Sequence, residues 1–189
     1  MVLLVAGILL FTGTHLFLSL APTKVSAARE SMGENGVKSL ITVFTIAGMV
    51  LIVLGWRGSE STWLYTTPSS IRGAATGLVV LALYLFVVSN RPSAIKRVVR
   101  HPQLSGVLVW AVAHLLLNGD SRSLLLFGGM GLWAVLEILL INRRDPAPEK
   151  PTAPGLISEL ITVAITLGVV ALIVWAHPWL AGVPAIASF

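Results

Sequence analysis

Four histidines, His15, His101, His114 and His177, are the residues of this chain best able to do chemistry. Most lie in or beside long apolar runs, where a polar side chain is costly and needs a partner or a task. His15 shares one helical face with Thr12 and Ser19, at spacings of three and four. Gly106, Trp110, His114 and Asn118 recur every four residues and form a second stripe. A small residue and a flat indole beside an imidazole can wall a planar ligand or pack against a neighbouring helix. His101 sits in Arg100-His101-Pro102, after the basic turn Ile95 to Arg100, and can serve as an anion clamp or as a collar on lipid headgroups. His177-Pro178-Trp179 reads as an interfacial anchor. Glu137 is the single acid well inside an apolar run, placed to snorkel or to pair with Arg144 or with the cations of 91–100. Asp120 follows Asn118-Gly119 and reads as a turn residue.

Two neutral imidazoles from two helices, facing one cavity, can hold heme b within a bundle. Such a site needs no cysteine, and the chain has none. The lack of cysteine excludes disulfides, thiolate metal sites and a cysteine nucleophile. Zinc would require three or four ligands at one depth. No nucleophile–histidine–acid set, phosphate loop or dinucleotide fingerprint stands at a convincing spacing.

The elements that carry these residues are apolar runs at 2–20, 38–56, 71–89, 103–118, 123–141 and 157–176. Of the 189 residues 56% are hydrophobic and 11% charged, against about 25% charged in soluble domains. Mean hydropathy is +0.89. Most runs approach the ~20 residues that cross a bilayer core. The expected fold is therefore all-α, an integral membrane bundle of about six transmembrane helices, with residues 1–189 as a single domain. Residues 1–20 carry no Lys or Arg, so the first run reads as a retained helix rather than a signal peptide. The Pro-rich stretch 145–154 reads as a linker.

The net charge of +5 follows the loops rather than marking a nucleic-acid surface. Loops one, three and five carry ten of the thirteen Lys and Arg residues. The excess places those loops in the cytoplasm and both termini outside, on the periplasmic side of a bacterial inner membrane. His15 then lies toward the inner face and His114 toward the outer, with depths differing by roughly 10–15 Å at 1.5 Å per residue. His15 with His101, or His114 with His177, match better in depth. Gly73 and Gly77 have GxxxG spacing, which suits packing within the bundle.

The stretch Arg100-His101-Pro102-Gln103-Leu104-Ser105-Gly106, with Val109 to Leu117 and then Asn118-Gly119-Asp120, resembles the NnrU family. Gly13-Thr14-His15 and the segment Ser123 to Arg144 fit the same resemblance, which is best over 91–144 and extends along the chain. Bacterial members are associated with nitric oxide and denitrification. Plant relatives are 15-cis-ζ-carotene isomerases that use a histidine-held heme b. The resemblance implies heme b, with His15 and His114 as axial ligands to the iron and Arg100, His101 and Trp110 as further cofactor contacts. It implies membrane lipid as the setting, with nitric oxide or an apolar, isoprenoid-like molecule as the partner. In the plant enzymes a cysteine three residues before the second histidine joins the ligation. Ala111 stands there in this chain, so a thiolate switch is absent.

Two other classes share part of the pattern. Small membrane methyltransferases that act on isoprenylcysteine or methanethiol hold S-adenosylmethionine with an RHP element. This chain lacks the tyrosine shortly after it and the downstream Glu-Glu pair. A non-enzymatic heme sensor or assembly factor is the third reading, favoured if both axial positions on the iron are filled.

Overall fold

The computed structural model describes residues 1–146 and 148–185. Among them are six α-helices: α1 Val2–Leu20, α2 Pro22–Arg57, α3 Arg72–Ser89, α4 Pro102–Leu117, α5 Ser121–Arg144 and α6 Leu156–Ala181. Five apolar segments are long enough to cross a membrane, and α4 is a shorter apolar helix of 16 residues. The helical membrane bundle is thus the fold, and the six runs read from the sequence each fall on one helix.

The helices pack in the order α2–α1–α5–α4–α3–α6, and α6 returns to α2 to close a ring. Hydrophobicity cannot drive this packing, because lipid tails are as apolar as leucine. Close backbone approach does so instead. The α1–α2 hairpin is the tightest case. A Cβ on Gly7 would stand 2.6 Å from the Ile52 nitrogen, and one on Gly55 would strike the backbone of Leu4. On α4, a Cβ at Gly106 would reach the Ala82 carbonyl of α3 at 3.0 Å. The ends of α2 and α6 are tied by polar bonds: Trp56 Nε1 donates to the Ala181 carbonyl at 3.1 Å, and Arg57 to that of Trp179 at 2.8 Å.

Two expectations change. The segment between the first two runs is not a loop. Residues 22–32 are helical and break from the span at Gly33, whose φ of 76° is a conformation that favours glycine. Arg29 and Lys38 pair with Glu34 on either side of that break. Second, Gly73 and Gly77 are not a seam within the bundle. No atom lies within 4 Å of a Cβ built on either, so both face outward. The linker read at 145–154 does carry no helix between α5 and α6, with Ala147 outside the described residues.

These two kinds of glycine should behave oppositely. Gly55→Ala must separate α1 from α2, at an overpacking cost of about 1–3 kcal/mol. Gly73→Ala meets open space and gains helix propensity. Thermal unfolding in detergent should show a clear loss for the first and none for the second. Equal responses would contradict the packing.

Candidate functional site

His15 and His114 are presented in the same manner. In each, Nδ1 lies against the carbonyl four residues back: Phe11 at 2.8 Å for His15 and Trp110 at 2.9 Å for His114. A carbonyl can only accept, so Nδ1 carries the proton and Nε2 keeps a lone pair. A second hydrogen bond of this kind is what fixes the tautomer of a metal-ligating histidine. No protein group bonds to either Nε2 among the described residues. Both side chains are half-buried.

Each imidazole is also clamped by aromatic rings. His15 stacks on Phe11 with centroids 4.6 Å apart and meets the edge of Trp133 at 5.4 Å. His114 stacks on Phe127 at 4.5 Å and tilts against Trp110 at 5.0 Å. Phe127 and Trp133 both belong to α5 and to the central apolar cluster. The two histidines therefore hang on one helix at positions six residues apart, about 9 Å along its axis. His114 lies toward the N-terminal end of α5 and His15 toward its C-terminal end, so the two imidazoles are offset along the bundle. His177 on α6 lies within electrostatic reach of His114. Its own Nδ1 donates to the Val183 carbonyl at 2.6 Å, leaving its Nε2 free as well.

The Gly106-Trp110-His114-Asn118 stripe divides between two roles. Gly106 is a packing seam against α3, whereas Trp110 and His114 join Phe127 in the aromatic cluster. Asn118 turns its amide back to the His114 carbonyl at 3.0 Å.

The RHP element stands apart from both imidazoles and locks the N-terminal end of α4 to the C-terminal end of α5. Arg100 donates to the carbonyls of Asp145 and Pro146 at 3.0 and 2.9 Å. His101 Nε2 bonds Asn142 Oδ1 at 2.9 Å. The neighbouring Asp145 carboxyl is held below the usual carboxylate range by its hydrogen bonds to Arg144, helped by the charges of Arg144, Arg100 and His101.

Three features were not legible as such in the sequence. Glu137 neither snorkels nor pairs with a cation. It is 4% exposed and accepts from Ser19 Oγ of α1 at 2.5 Å. Asp120 is more than a turn residue: it caps α5, accepting from the Ser123 nitrogen at 3.0 Å and its hydroxyl at 2.7 Å. The loop 58–71 forms a cover over the C-terminal end of α4. Leu64 and Tyr65 donate their N–H groups to the Gly119 carbonyl at 2.8 and 3.0 Å. The Tyr65 hydroxyl donates to the carbonyls of Leu115 and Asn118 at 2.6 and 3.0 Å. Desolvation, and then Asp120, push the Tyr65 phenol up from its ordinary pKa. Nothing larger than hydrogen fits at Gly119, because a Cβ there would overlap the Tyr65 carbonyl. The i, i+4 pairs Phe11–His15 and Trp133–Glu137 were readable, but periodicity does not say which partner helix they face.

The ring of apolar helices, with half-buried imidazoles on α1 and α4, defines a multi-pass membrane protein with histidines set inside its bundle. The family model described as NnrU protein matches residues 3–185, so the chain belongs to the NnrU family. No curated protein and no solved structure matches it.

Tyr65→Phe should remove the donor that satisfies two carbonyls at the end of α4 beyond His114. The expected loss is about 1–2 kcal/mol, read as a lower unfolding midpoint in detergent. An unchanged midpoint would mean that the loop cover does not hold α4.

Proposed function

We propose that this protein binds heme b through histidine, with His114 as one axial ligand and His15 as the other. The observation that carries the reading is the shared presentation of the two imidazoles: Nδ1–H fixed on a carbonyl, Nε2 free, aromatic rings around each. Those residues suit a planar apolar macrocycle with a ligated iron. No cluster of three or more His, Cys, Asp or Glu capable of holding a bare metal ion occurs among the described residues.

The roughly 9 Å offset along α5 matters for coordination. For both imidazoles to hold the group, α1 would have to shift relative to α4. Were His114 to hold it alone, the bound group could take a small diatomic or an apolar double bond. Bound heme supplies redox and ligand-binding chemistry at iron. The chain fixes the imidazole tautomers, excludes water with Phe11, Phe127 and Trp133, and sets the ligand depth. Family membership supports nitric-oxide-linked or isoprenoid double-bond chemistry over transfer of a methyl group. Arg100 and His101, which the methyltransferase reading needs, are engaged in joining α4 to α5.

A second ligand pair has its own support. Counting along the spans puts His177 nearer His114 in depth than His15 is. Absorption spectra of the detergent-purified protein decide between the pairs. His114→Ala should abolish or strongly shift the Soret band. The same shift in His15→Ala but not His177→Ala establishes the first pair, and the reverse establishes the second. A Soret band indifferent to His114→Ala would overturn the proposal.

The cation asymmetry supports a topology with the C-terminal ends of α1, α3 and α5 in the cytoplasm of a bacterial cell and both termini in the periplasm. The chain has no cysteine, so single-cysteine variants are clean probes. Glu60→Cys should react with an impermeant maleimide in spheroplasts, and Glu149→Cys only after lysis. The opposite pattern would invert the topology and exchange the depths of His15 and His114.

A further inference from the structure

The seam between α1 and α5 holds polar groups that neither the packing nor the proposed heme ligation uses. Trp133 and Glu137 lie one turn apart on α5 and point toward α1. The Trp133 ring meets Phe11 and His15, and Glu137 Oε2 meets Ser19. The contacts rise together along both helices, so α1 and α5 run parallel and the seam is continuous from position 11 to position 19.

Two atoms in this seam have no partner among the described residues: Trp133 Nε1 and Glu137 Oε1. Their side chains are 7% and 4% exposed, respectively. Neither can reach water at the protein surface, and in hydrocarbon each unsatisfied group costs several kcal/mol. One is a donor only and the other is an acceptor. Leucine or phenylalanine at either position would avoid the cost, so an indole N–H and a carboxyl oxygen together mark a place where something polar is bound.

We propose that the α1–α5 seam is a binding site for a hydroxyl group, held between Trp133 Nε1–H and Glu137 Oε1 beside His15. A hydroxyl is the smallest group that accepts from the indole and donates to the carboxyl oxygen at once. Neither an aldehyde nor an alkene can do both. Ser19 holds the other carboxyl oxygen at 2.5 Å and so fixes the direction in which Oε1 faces. The hydroxyl belongs either to a resident water or to the end of an apolar alcohol that enters from the bilayer. The site is independent of iron: it stands on α5 and Ser19 whether or not His15 is a ligand.

The test uses the full chain in nanodiscs, labelled with ¹⁵N at the tryptophan indoles and titrated with farnesol. The chain has six tryptophans, and the indole resonance missing in Trp133→Phe identifies Trp133. In the wild type that proton should resonate downfield, in the hydrogen-bonded range. Magnetisation exchange with water, unaltered by farnesol, identifies a bound water. A saturable shift on adding farnesol identifies the alcohol. In Glu137→Met either signature should vanish, with the other indole resonances in place as the check on folding. Ser19→Ala should weaken it without abolishing it. A Trp133 indole at the position of an unbonded N–H, blind to both water and farnesol, would overturn the proposal. So would a signature unchanged in Glu137→Met.

Discussion

In hydrocarbon, a polar group that finds no partner inside the protein finds none at all. The structure follows from that constraint. Backbone bonds are closed within helices. Serine and threonine hydroxyls on the spans return to carbonyls of the preceding turn, as Thr12, Thr14, Thr162 and Thr166 do. The open carbonyls at the end of α4 are met by Tyr65 and Thr67 from the loop 58–71. Against so complete a pairing, the exceptions carry information. Among the described residues they include the Nε2 atoms of His15, His114 and His177, the Nε atoms of Arg100 and Arg122 at the helix ends, and the two orphaned atoms of the α1–α5 seam.

Helix α5 is the element on which these exceptions converge. Phe127 backs His114, Trp133 backs His15, and Glu137 meets Ser19. Its C-terminal end is fixed to α4 through Arg100 and His101, and its N-terminal end is capped by Asp120. A helix held at both ends is a rigid ruler, and it sets the separation in depth between the imidazoles. Movement of α1 along it would change that separation, while the close glycine contacts make α1 and α2 move as one. Under the heme proposal, ligation by both imidazoles would therefore depend on the position of the α1–α2 hairpin.

The sequence made the spans legible because 20-residue apolar runs need no tertiary context, and α1 coincides with the run 2–20. The histidines were legible for the same reason, as polar residues where such residues are expensive. Partners were harder. Glu137 looked like a candidate for a cation because Arg144 follows two turns later, yet its face is turned to α1 and to a serine. Gly73 and Gly77 had the spacing of a seam, but the glycines that make close contacts between spans, Gly7, Gly48, Gly55 and Gly106, carry no such motif. Spacing reports which residues share a face of one helix. It does not report what that face meets.

The central claim is that the bundle holds heme b on histidine. Pyridine hemochrome analysis of the protein, purified from cells supplied with iron and a heme precursor, addresses it without reference to any activity. Protoheme is expected at close to one per chain, falling to a small fraction of that when His114 is replaced by alanine. Protein that is folded yet colourless, or heme retained in full without His114, would contradict it.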